Sequence, residues 1–178
     1  RAETLAQLHL HKATLQAHLR RFVRLQLGLF VFAISIALML ESHIGLDPWS
    51  ALHEGVSSRT RLSFGRISQL TGLALIVVSA LWLQVRPGLG TLFNMAVIGP
   101  WLDLVHTQLW FPKWDGGLPG VLQFLAGMLV MGFATGLYIG AYYGAGPRDG
   151  FILGLSPKIS KSVRVTRILI ETTVLLAA

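Results

Sequence analysis

Long apolar runs alternate with short polar breaks along this chain, and about twenty apolar residues cross a bilayer as a helix. Residues 22–41, "FVRLQLGLFVFAISIALMLE", supply one such run. A second covers about 64–84 and ends at Arg86-Pro87-Gly88, a reversal signal. A third, about 89–109, carries Asn94, Pro100 and Asp103, and a fourth, about 119–143, is rich in glycine. A fifth starts near Val163 and reaches Ala178 before it is long enough to cross. Residues 1–21 follow another pattern: Leu5, Leu8, Leu15, Leu19 and Phe22 recur near helical spacing among Lys12, Arg20 and Arg21. That spacing predicts an amphipathic helix on the membrane surface, leading into the first span. Trp110 and Trp114, in "WFPKWDGGLPG", suit the headgroup interface.

Two breaks are longer and resemble each other, "GLDPWSALHEGVSSRT" at 45–60 and "GAGPRDGFILGLSPKIS" at 144–160. Asp47 is a good N-cap and Pro48 suits the first helical position, so a helix starts there, runs to about Ser57, and Ser63 caps the next. The second copy starts at Pro147, runs to about Ser156, meets Pro157 and restarts after Ser162. Helices of this length cannot cross a bilayer. They lie at its surface or dip in as half-helices that aim backbone N–H groups at the protein interior.

Residue n laid over residue n+99 pairs Gly45 with Gly144, Pro48 with Pro147, Gly55 with Gly154, Ser57 with Ser156 and Ser63 with Ser162. Gly28 falls on Gly127, Val31 on Val130 and Leu38 on Leu137. Glycine and proline carry the weight, since they mark backbone geometry rather than oiliness. Ala33 and Ala37 fall on Gly132 and Gly136, and the small-residue stripe continues through Gly140 and Gly144, which predicts close helix contact along it. The organisation expected is a surface helix at 1–21, a three-helix unit at 22–118 and a second, incomplete one at 119–178. Three spans per unit would turn the second upside down relative to the first, as in many transporters. The fold class is therefore all-α, a polytopic transmembrane bundle of two inverted repeats.

Composition agrees with lipid as the solvent: 53% of residues are hydrophobic and 13% charged, against about 25% charged in soluble domains. A net charge of +7 reads here as lysine and arginine gathered beside anionic lipid, so no nucleic-acid partner is expected. With the N-terminus inside, only Arg59, Arg61, Arg66 and Lys113 of the fifteen basic side chains fall in outer segments, a positive-inside bias. No cysteine is present, which removes disulfides and thiolate chemistry. The polar residues 1–21 without an A-x-A site argue against a secretory signal. A start at Arg1 and a stop at Ala178 inside an apolar run read as a piece of a longer protein.

The motifs "GLDPWSALHEGVS", "SFGRIS", "RPGLGTLFNMAVIGPWLDL", "GAGPRDGFILGLS" and "VRVTRILIETTVLL" together cover most of residues 28–178. In them the chain resembles the YczE/YyaS/YitT family of bacterial integral membrane proteins, especially its YczE-like branch. The resemblance implies a six-span protein of the bacterial cytoplasmic membrane with two related halves, no settled activity, and a second "GLGTLFN…GP" motif beyond Ala178.

Ionisable groups inside spans are costly and face an interior path or one another. Asp103, near the outer end of the third span, reads first as a snorkelling interfacial carboxylate. Arg164, Arg167 and Glu171 share one face of the fifth span, and an Arg167–Glu171 pair is either structural or functional. The candidate substrate site joins Asp47, Pro48, Trp49, Ser50, Asn94, Pro147, Arg148, Asp149, Arg167 and Glu171. With Arg66 and Arg164 counted beside Arg148 and Arg167, arginine outnumbers carboxylate around the site, and an anionic or amphipathic metabolite is the expected solute. No enzyme is expected: His53-Glu54 lacks the second histidine of a zinc protease motif, and no G-x-S-x-G elbow exists. His9, His11 and His18 have no carboxylate or cysteine at ligand spacing, so no metal and no cofactor is expected. The expectation is a small-solute transporter in the lipid bilayer; the alternative is a non-transporting scaffold or accessory subunit of a biosynthetic or export complex. A homo-oligomer or a membrane partner fits either.

Overall fold

Capping residues set where the helices begin. In a computed structural model, which describes residues 2–108, 111–114 and 116–178 and side chains from Thr14 onward, the protein is all helical. The elements are α1 (Ala2–Glu41), α2 (Pro48–Arg59), α3 (Phe64–Leu81), α4 (Leu89–Thr107), α5 (Gly117–Ile139), α6 (Pro147–Lys158) and α7 (Val163–Ala177). Asp47, Ser63 and Ser162 are the N-caps of α2, α3 and α7, each accepting a backbone N–H three residues on. Among the described residues, the helices long and apolar enough to cross a membrane are Thr14–Glu41, Phe64–Leu81 and Gly117–Ile139.

Two boundaries differ from expectation. The surface helix and the first span form one unbroken α1, because no glycine or proline precedes Gly28 to stop it. The amphipathic pattern of residues 1–13, with His9 and His11, and the interfacial Trp110 lie outside the described side chains. The fourth span ends at Ile139 rather than near 143, with Gly140 as its C-cap.

Helix α1 is the centre of the bundle, packed on α4 and α5. Leu25, Leu29, Ala33, Ile36 and Ala37 form its buried face against Ile98, Leu102 and Val105 of α4 and Tyr138 of α5. The close approach of α1 and α5 rests on Gly28 and Gly127. A Cβ at Gly28 would lie 2.7 Å from the Tyr138 nitrogen, and one at Gly127 would lie 2.6 Å from Met39 Cγ. Part of the expected stripe lies off the contact: Ala33, Ala37 and Gly140 are packed, but Gly132 and Gly136 have nothing within 4 Å of a Cβ position. Small residues permit an approach but do not choose the face that makes it.

Helices α3 and α4 cross backbone to backbone at Gly65 and Gly99. Pro100 denies the Ala96 carbonyl its helical donor, and Gln69 Nε2 fills the gap at 2.8 Å. Asp103 is not a snorkelling carboxylate. It accepts the Ser63 hydroxyl at 2.7 Å and the Gly65 N–H at 3.0 Å, fastening the start of α3 to α4.

The same local geometry recurs ninety-nine residues apart. His43 and Tyr142, each just after a long helix, both adopt left-handed φ, 51° and 61°. Ser57 donates to the Leu62 carbonyl at 3.0 Å, and Ser156 to that of Lys161 at 2.5 Å. Contacts also exchange: Gly28 meets Tyr138 while Gly127 meets Met39. Helix α2 packs on α7 as α6 packs on α3.

Candidate functional site

Helices α1 and α5 run antiparallel, so their chains exit at opposite ends. Gly120 abuts the Ser42 carbonyl at one end, and Gly140 abuts the Arg24 guanidinium at the other. Twenty residues of helix separate these contacts, roughly 30 Å. Yet Asp47, which follows α1, and Arg148, which follows α5, touch at 3.3 Å. Each linker therefore turns back into the bundle before its short helix begins. Of the two arrangements open to a ten-residue helix, the bundle adopts the one in which α2 and α6 start inside it.

The linker before α6 is held by α4. Thr91 donates to the Ala145 carbonyl at 2.6 Å, and the Gly90 N–H donates to the Tyr143 carbonyl at 2.7 Å. Gly88 and Gly90 make this possible, since a Cβ on either would meet the Tyr143 carbonyl oxygen. Gly144, with φ 110°, supplies a conformation that other residues resist.

A cavity of about 300 Å³ opens where the two short helices meet. Arg148 stacks its guanidinium over Trp49, 5.3 Å from the ring centroid, a favourable cation–π distance. Trp49 and Arg148 are themselves ninety-nine residues apart, so the two helix starts face each other across this stack. The Asp47 carboxylate accepts both Arg148 and the Ser50 N–H, at 3.3 and 3.2 Å. Across the cavity, Asp149 accepts Arg167 at 2.6 Å and the Tyr138 hydroxyl at 2.8 Å. Glu171 receives a longer contact from the same Arg167, at 3.5 Å.

Of the residues expected from the sequence, Asp47, Pro48, Trp49, Asn94, Pro147, Arg148, Asp149, Arg167 and Glu171 line this cavity. Ser50 does not; it is fully buried behind the wall, its hydroxyl unpartnered. The charge balance is the reverse of that expected, since three carboxylates face two arginines. The expected count included arginines such as Arg164 and Arg66, which lie on exposed faces elsewhere. Among the lining residues that the sequence reading did not name as site residues, two stand out. Tyr138 was one more aromatic in an apolar run, and only its hydroxyl signalled a buried partner. His53 carries no site role in the sequence reading, because the second histidine of a zinc motif is missing. It is buried against Phe64, and both ring nitrogens lack a partner.

The positions that match at a spacing of ninety-nine frame the cavity but do not supply its chemistry. Asp149, Arg167, Glu171 and Tyr138 correspond by position to Ser50, Ser68, Gly72 and Met39. The second half therefore brings the ionic network, and the first brings Asp47 and His53.

Comparison with known proteins supplies the family. The family model described as a family of unknown function, DUF6198, matches residues 19–178. The chain belongs to that family. It is 30% identical over 152 residues to the uncharacterized membrane protein YczE of Bacillus subtilis, covering 85% of this chain and 70% of that one. An uncharacterized protein of Haemophilus influenzae is 34% identical over 157 residues, 84% of this chain and 70% of its own. The uncharacterized protein YyaS of Bacillus subtilis is 24% identical over 156 residues, 85% of this chain and 76% of its own. No solved structure matches. The kinship and the apolar helices make this a membrane protein.

Proposed function

We propose that the protein is a small-solute transporter of the bacterial cytoplasmic membrane, with its N-terminus inside, that works by alternating access between two inverted units. One observation carries the reading: both short helices begin at a shared point within the bundle and enclose a polar cavity there. Half-helices with converging N-termini are a recurrent way to hold a solute amid lipid. An ionisable side chain at the centre of a membrane helix costs about 3 kcal/mol, and five charged residues line this one cavity. Structural pairing alone does not call for the open volume beside them. The recurring turns, the exchanged glycine contacts and the Trp49–Arg148 stack support two units related by a two-fold axis. Such units can rock about the cavity.

The test needs no knowledge of the solute. Thr71 on α3 lines the cavity, and the chain contains no cysteine. A Thr71→Cys protein should react with a membrane-impermeant thiol reagent in right-side-out vesicles and, separately, in inverted ones. Labelling from one side only, or from neither, would favour a non-transporting scaffold.

A further inference from the structure

The two half-helices start alike in backbone and unlike in chemistry. Asp47 before α2 and Gly146 before α6 are ninety-nine residues apart and share N-cap geometry, φ −64° and ψ 154° against φ −61° and ψ 166°. Asp47 gives its carboxylate to the first turn of its own helix, accepting the Ser50 N–H. Gly146 has no side chain, and no side chain caps the first turn of α6. Pro147 has no N–H, so Arg148 and Asp149 carry the open backbone donors of that turn. Gly146, Pro147, Arg148 and Asp149 all line the cavity. An uncapped helix start bears about half a positive charge and suits a carboxylate.

A second, independent feature of the cavity points to a guest. His53 is 1% exposed, lines the same space, and leaves both ring nitrogens unpartnered. Buried polar groups are as a rule paired. One buried oxygen of Asp47, Oδ1, is also unpartnered.

We infer that the cavity receives a small zwitterion whose carboxylate occupies at α6 the position that the Asp47 side chain holds at α2; this rests on the transport reading above. Arg148 adds its guanidinium to that carboxylate site, since it has five N–H donors and its bond to Asp47 uses one. The lining already holds three carboxylates against two arginines, so an anionic guest must bring its own positive charge. Its ammonium group meets Glu171, which lines the cavity and whose contact with Arg167 is long at 3.5 Å. Phe32, Ile98 and Met131 wall the remaining space and suit a hydrocarbon body. At roughly 30 Å³ per water, the volume admits a solute of about ten non-hydrogen atoms.

The test uses the full chain in lipid nanodiscs and three probes of one shape: leucine, 3-methylbutylamine and 4-methylpentanoate. Calorimetry should show leucine binding, with the amine and the acid each weaker by about tenfold or more. Gly146→Asp installs in α6 the cap that α2 already has, and should weaken leucine by about tenfold or more while leaving thermal stability equal or higher. Its Cβ would lie 3.1 Å from the Asn94 amide, a shift that Gly146→Ala reproduces without the carboxylate and with leucine binding retained. Equal affinity for the amine or for the acid would overturn the inference. So would undiminished leucine binding by a folded Gly146→Asp protein, or an equal loss in Gly146→Ala. Failure of all three probes, with Thr71→Cys still labelled from both sides, overturns the zwitterion and leaves transport standing. Failure of both measurements removes the two together.

Discussion

At the scale of single residues, Asp103 has the most exposed consequences. It holds the Ser63 hydroxyl and the Gly65 N–H, so it supplies at a distance the acceptor that the opening turn of α3 needs. Asp103→Ala should lower stability by about 1–2 kcal/mol, read as an earlier thermal unfolding in detergent; Asp103→Asn, which keeps one acceptor, should lose less. The sequence displays Asp47, Ser63 and Ser162 as caps because capping is local, a side chain and an N–H three residues apart. It does not display the partner of Asp103, which comes from a helix crossing forty residues away. His53 is hidden for the same reason: its burial follows from how α2 is seated against Phe64 at the head of α3, and no spacing along the chain encodes that.

At the scale of elements, the repeat at a spacing of ninety-nine was legible because glycine, proline and serine fix turns, and turns recur with them. The left-handed residues His43 and Tyr142, by contrast, share no chemistry and could not be paired by inspection. Nor could composition say which glycines touch. Gly28→Ala and Gly127→Ala place a methyl group against the neighbouring helix and should each cost about 1–3 kcal/mol. Gly132→Ala and Gly136→Ala meet open space and should each gain about 0.5–1 kcal/mol from helix propensity. Thermal unfolding of the four variants separates the α1–α5 contact from the open face of α5, and a uniform response would contradict the contact described.

At the scale of the whole molecule, the short helices decide the architecture. On the proposed reading, linkers that leave the bundle at opposite ends and return to one meeting point send α2 and α6 outward in opposite directions, which would put the turns that follow them on opposite faces of the bilayer. Membrane character was readable from apolar length, and six of the cavity's residues, Asp47, Pro48, Trp49, Pro147, Arg148 and Asp149, from the two proline-led breaks. The balance of charge in the cavity was not, because which arginines face inward is a property of packing. The most direct measurement uses single cysteines at Arg61, after α2, and at Lys161, after α6, both exposed, in the cysteine-free chain. An impermeant thiol reagent added to intact cells should label the first, and the second only after permeabilisation. Labelling of both from the same side would contradict oppositely threaded halves.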